Sequence, residues 1–156
     1  MLFELKNPWR PETTVQDAFN QVQHYTSLIP KIFDYNCLTV ISDGNHFEPE
    51  AEDLEDEERK GTLHGTWTST LEWFAPWKSI DGEKIVGSSI GSMKTLIEGL
   101  FPKERLLAYI RDFVVFENAN EKITKKAAKY HQFFAVKKAV EKAKTSFTAP
   151  SDRRLG

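Results

Sequence analysis

Glu4-Leu5-Lys6-Asn7-Pro8, followed about four helical turns later by Gln21-Val22-Gln23-His24-Tyr25, is the stretch on which the fold turns. Residues two apart on a strand share a face. Read as the end of a strand over Leu2 to Lys6, the first segment therefore projects Glu4 and Lys6 together, while Leu5 faces the core and offers its backbone carbonyl. Asn7-Pro8 and a loop containing Pro11 close it. One carboxylate, one carbonyl and one ammonium then meet in a small space. A hydrolytic Mg²⁺ site uses those parts: hard oxygen ligands for the metal, and a cation that orients water or offsets charge on a phosphate. The triplet alone is more often a solvated edge of a strand or helix.

Beyond that segment, Thr14 can cap a helix with Asp17 three residues on, and Val15, Ala18, Phe19, Val22 and Tyr25 recur at helical spacing. Pro30 interrupts or ends that helix. Cys37 to Ser42 reads as a short buried strand stopped by the Asp43-Gly44 turn signal, so strand, long helix and strand form an α/β core. Gln21 and Tyr25, four apart, share a helix face that can look back at the end of the first strand. His24 points away from that face and reads as exposed.

Asn45 to Lys60 is acidic and reads as a solvated surface excursion. Gly61 to Trp67 resembles a strand, and Ser69 to Trp77 a short helix whose Trp73, Phe74 and Trp77 belong in the core. Helices then dominate: Met93 to Phe101, Lys103 to Asp112 and, after a strand-like Phe113 to Phe116, an amphipathic helix from about Glu121 to Lys144. The tail Thr148 to Gly156 reads as a linker. Net charge is −2 and pI about 6.1, but Lys122 to Phe147 carries eight lysines against Glu141 alone. The charge pattern leaves room for a nucleic-acid partner through local patches and not through bulk charge.

Several classes are excluded. Cys37 is the single cysteine and has no disulfide partner, as in a reduced, intracellular protein. No signal peptide is visible, and no apolar run approaches the ~18 residues of a membrane span. Gly87 to Thr95 imitates a phosphate-binding loop, but Ser92 and Met93 separate Gly91 from Lys94, so it reads as a turn before a helix. The histidines at 24, 46, 64 and 131 lack the spacing of a zinc site. No Ser/His/Asp set can be assembled.

ELKNP (4–8), DAFNQVQHYTSLIPKIFDYN (17–36), TVISDG (39–44), TLHGTW (62–67) and EWFAPWK (72–78) together resemble, in this order, the restriction subunit of type I restriction–modification enzymes in its amino-terminal PD-(D/E)xK nuclease domain. LIEGLFPKERLLAYIRDFVVFE (96–117) and KAAKYHQFFAVKKAVEKA (126–143) resemble the segments joining that nuclease to an ATP-driven translocase. The resemblance implies an α/β (α+β) chain: a partial restriction-endonuclease-like core with a central mixed sheet flanked by helices over 1–87, an acidic insertion near 45–60, and a mostly helical connector over 88–156. It implies that Glu4 and Lys6 are catalytic, that Glu4 and the Leu5 carbonyl hold Mg²⁺, and that Gln21 and Tyr25 position DNA or the lysine. Gln132 would read the adenine of ATP in the full-length protein. The implied partners are double-stranded DNA and the methyltransferase and specificity subunits, in the cytoplasm and without a membrane.

One departure stands out. Nucleases of this kind carry a further acidic residue, usually aspartate, on the strand preceding Glu-x-Lys, and here the chain starts three residues before Glu4. The resemblance therefore implies an inactive isolated chain, with cleavage in the full-length subunit. The alternative is an inert remnant or interaction module.

Overall fold

The computed structural model describes residues 1–7, 9, 10, 12–44, 61–86, 91–119 and 121–148. The acidic stretch Asn45–Lys60, Gly87–Ile90 of the glycine-containing turn, His46 and the tail from Ala149 lie outside the described residues. Within them the class is mixed α+β, as the sequence implied.

The first sheet follows from the strand, helix, strand order. Strand β1 (Leu2–Leu5) leads through helix α1 (Val15–Leu28) to β2 (Thr39–Ser42), which lies parallel to β1, and β3 (Thr62–Gly65) adds antiparallel to β2. The capping box read in the sequence starts α1: the Thr14 N–H donates to Asp17 Oδ2 at 2.8 Å, and the Asp17 N–H donates to Thr14 Oγ1. The helix stops before Pro30, which cannot continue the ladder, and a single 3₁₀ turn, Pro30–Phe33, follows.

β2 is the centre of the molecule. All four of its residues are buried, and its alternation feeds two cores. Ile41 joins Val15, Ala18, Val22, Phe33, Leu63 and Phe74 beneath α1. Val40 joins Leu38, Trp77, Leu96, Leu100, Tyr109 and Phe133 on the opposite side. Each such side chain contributes about 1.5–3 kcal/mol of burial. The second core is covered by α2 (Ser92–Leu100), α3 (Lys103–Asp112), the antiparallel pair β4 (Val114–Ala119) and β5 (Lys122–Ala127), and the start of α4 (Tyr130–Thr148). Gly99 lets Trp77 press against α2: a Cβ there would lie 2.4 Å from the indole nitrogen and 2.6 Å from the Ser79 carbonyl oxygen.

Four expectations are corrected. Lys122 to Ala127 is a strand, not the first turns of a helix; Glu121 adopts a positive φ of 64° at the turn, and β5 pairs with β4 before α4 begins at Tyr130. Ser69 to Trp77 holds only one 3₁₀ turn, Leu71–Trp73. Beyond it Ala75 exchanges backbone hydrogen bonds with His64 at 2.9 and 3.0 Å, so sheet pairing overrides helix there, and Phe74 and Trp77 reach the core. Trp73 is instead half exposed, with the Lys126 ammonium 4.0 Å from its ring centroid. Leu5 does not face the core; it is 57% exposed, on the face of β1 opposite Glu4 and Lys6, past the packing of Phe3 on Phe101.

Candidate functional site

Glu4 and Lys6 stand where the parallel pair β1 and β2 ends. They share a face with Leu2, which packs into the core beneath α1. Lys6 Nζ lies 3.0 Å from Glu4 Oε1, with the side chains 18% and 15% exposed. The pair is thus sheltered from most of the solvent that would screen it. Its backbone is fixed by β2: the Leu2 N–H donates to the Leu38 carbonyl and the Lys6 N–H to the Ser42 carbonyl, at 3.1 and 2.8 Å. Peptide groups of the even-numbered residues therefore turn toward β2. Those of Phe3 and Leu5 turn toward the outer edge of β1.

Helix α1 covers the same face. Asp17, Gln21 and Tyr25, each four residues apart, run along one side of it. Thr14, through its backbone N–H and hydroxyl, holds the Asp17 carboxyl below the usual carboxylate range, and the positive charge of Lys6 acts in the same direction. Gln21 is half-buried, and Tyr25 packs against the core beneath the helix. Among the described residues no hydrogen bond joins either of them to Glu4 or Lys6. The fold brings the four residues to one side of the sheet without joining them into one network.

Gln132 lies elsewhere. It is exposed in the first turn of α4, and its Oε1 accepts the Lys129 N–H at 2.8 Å, satisfying one of the N–H groups a helix start leaves open. His131 beside it is exposed.

Two buried polar residues escaped the sequence reading. Asp43, read as part of a turn, directly follows β2, is 2% exposed, and stands in register with Lys6 across the parallel pair. Its N–H donates to the Gly61 carbonyl at 3.3 Å. The alternation that sends Val40 and Ile41 to opposite cores was the available signal. His64 is the other: its Nε2 lies 3.2 Å from the Tyr109 hydroxyl and 3.3 Å from the Ala128 carbonyl oxygen, and burial holds its pKa below the ordinary imidazole value. Among the described residues no three His, Cys, Asp or Glu side chains gather as a metal cluster. Glu4 and the Leu5 carbonyl offer two hard oxygens, which fits Mg²⁺, an ion that takes few protein ligands and keeps several waters. Among the described residues no helix is long and apolar enough to cross a membrane.

Comparison with known proteins adds the following. Residues 1–48 match the family described as type I restriction enzyme R protein N terminus. The whole chain is 36% identical over 160 residues to the type I restriction enzyme HindI endonuclease subunit of Haemophilus influenzae, covering 14% of that protein. Over 99% of its length it is 30% identical to the putative type I restriction enzyme MjaIXP endonuclease subunit of Methanocaldococcus jannaschii, covering 15% of it. The chain thus spans only a small part of the relatives it matches. No solved structure gives a significant match.

Proposed function

From a chain that belongs to the type I restriction enzyme R protein family, we propose the strand-borne nuclease site of such a subunit, with Glu4 and Lys6 as its catalytic residues acting on double-stranded DNA. The observation that carries this reading is the sheltered Glu4–Lys6 pair at the end of β1, 3.0 Å apart. Glu4 and the Leu5 carbonyl would hold Mg²⁺, which when bound supplies a water of lowered pKa and offsets phosphate charge. Lys6 places an ammonium where negative charge grows on the attacked phosphodiester, and Glu4 keeps that ammonium in position. Gln21 and Tyr25 offer an amide and a phenol along the helix above, suited to orienting the DNA backbone or the lysine. In the longer subunit Gln132 would contribute an amide to adenine recognition, and the assembly would include methyltransferase and specificity subunits.

The test uses the complete subunit with those partners. Lys6→Ala and Glu4→Gln should each lower DNA cleavage by about a hundredfold or more, with DNA-stimulated ATP hydrolysis retained. Wild-type cleavage by either variant refutes the assignment.

A second reading, a non-catalytic interaction module, is favoured by one observation: among the described residues Glu4 is the carboxylate of the pair and no larger metal-ligand cluster surrounds it. It predicts that the 156-residue chain alone leaves DNA intact in Mg²⁺. Robust cleavage by that chain, abolished by Lys6→Ala, removes this second reading.

A further inference from the structure

The two outer edges of the β4–β5 pair are treated differently. The Ala128 N–H donates to the Phe113 carbonyl at 3.0 Å. By the alternation of an antiparallel ladder, Val115 and Glu117 then direct their peptide groups toward β5, while Val114, Phe116 and Asn118 direct theirs outward. On β5 the outward-facing residues are Ile123, Lys125 and Ala127, and both peptide groups of the central one, Lys125, are satisfied. Its N–H donates to Thr68 Oγ1 at 2.7 Å, and its carbonyl accepts from the hydroxyls of Thr66 and Thr68. On β4, among the described residues, no hydrogen bond reaches the outward groups of Val114, Phe116 and Asn118. Phe116 is also 68% exposed and Val115 56%. A six-residue edge with open peptide groups, apolar side chains and no proline is a template for strand addition.

We propose that β4 pairs antiparallel with β4 of a second copy of this chain, about a two-fold axis at Phe116. This register is self-complementary. Phe116 meets Phe116 of the second copy, Val114 meets Asn118, and Val115 meets Glu117, so the outward peptide groups become reciprocal hydrogen-bonded pairs. The two phenyl rings meet at the axis, each with the Lys125 ammonium of its own copy 5.7 Å from the ring centroid. Glu117, already neutralised by Lys126 at 2.6 Å, faces valine and not another acid. Nucleic acid fits this edge less well. Lys125 donates to the Asn36 carbonyl at 2.6 Å and Lys126 is engaged by Glu117 and Trp73, so both cations are turned inward. Short strands paired edge to edge bury less than the about 1,200 Å² of a standard interface, so the association is weak and concentration-dependent. It stands whether or not Glu4 and Lys6 cleave DNA.

The test is sedimentation of the chain from ~1 μM to ~1 mM, a span that brackets weak dimers. Wild type should pass from monomer to dimer. Phe116→Lys and Phe116→Glu should each stay monomeric, and an equimolar mixture of the two should regain the dimer, because residue 116 faces itself only in this register. Asn118→Pro, which removes an outward N–H and leaves the ladder bonds to β5 intact, should weaken dimerisation by about tenfold or more. Thermal unfolding confirms that each variant is folded. A wild-type monomer at every concentration, a dimer that survives Phe116→Lys, or a mixture that stays monomeric overturns the proposal.

Discussion

Gly99→Ala sets two effects of opposite sign against each other. On an isolated helix the change stabilises by about 1 kcal/mol, because glycine is the poorer helix former. Here the added Cβ would sit 2.4 Å from the Trp77 indole nitrogen, 2.5 Å from an adjoining ring carbon and 2.6 Å from the Ser79 carbonyl oxygen. Trp77 is 1% exposed and touches His64, Tyr109, Phe133 and Phe134, so the ring has nowhere to retreat. The Ser79 oxygen belongs to the backbone and cannot rotate away. Overpacking of this kind costs about 1–3 kcal/mol, and a clash with backbone belongs at the upper end. Subtracting the helix gain leaves a net loss of about 2 kcal/mol, or roughly 4–8 °C in Tm for a chain of this length. Urea unfolding followed by tryptophan fluorescence measures it directly. A variant more stable than wild type by the ~1 kcal/mol of helix propensity alone would show that α2 does not pack on Trp77 in this way.

Two further outcomes follow from buried or capping polar groups. Burial depresses the His64 pKa, so the unfolded chain takes up the proton first: stability is full above the unfolded value of about 6.5 and declines as pH falls below it. Urea midpoints should therefore fall from about pH 7.5 to pH 5.5, and His64→Gln should flatten that part of the profile; an unchanged slope would relieve His64 of the role. Gln132→Ala removes the acceptor of the Lys129 N–H and should lower stability by about 0.5–1 kcal/mol. In the complete subunit it should also weaken ATP use by about tenfold if the amide contributes ~1.4 kcal/mol to adenine binding; wild-type ATPase would leave it as a cap only.

The parts legible in the sequence were those set by local chemistry. Thr14 with Asp17 marked the start of α1, Pro30 marked its end, and the apolar run at Cys37 to Ser42 marked the buried central strand. Glu4 and Lys6 were brought together by the simplest periodicity a chain has. The misreadings arose where distant partners decided the outcome. Lys125 and Lys126 look like the polar side of a helix until Thr66 and Thr68 are present to bond the peptide groups of Lys125, and the rings of Phe116 and Trp73 to face the two ammonium groups. Leu5 looked like a core residue because one strand cannot reveal which of its two faces will be covered. Asp43 was read as a turn because acid followed by glycine is the ordinary chemistry of turns; its burial depends on a face set by Ile41.

The backbone hydrogen bond from Lys6 to the Ser42 carbonyl, 2.8 Å long, bears on how the site meets a ligand. It fastens the charged pair to β2, which is buried along its length and paired with a strand on each side. The backbone of Glu4 and Lys6 has therefore given up its conformational freedom during folding, at a cost of about 1–2 kcal/mol per residue already met by the two cores. On the function proposed above, a DNA strand arriving at that strand end would encounter charges whose scaffold needs no further ordering, leaving more of its contact energy for discrimination.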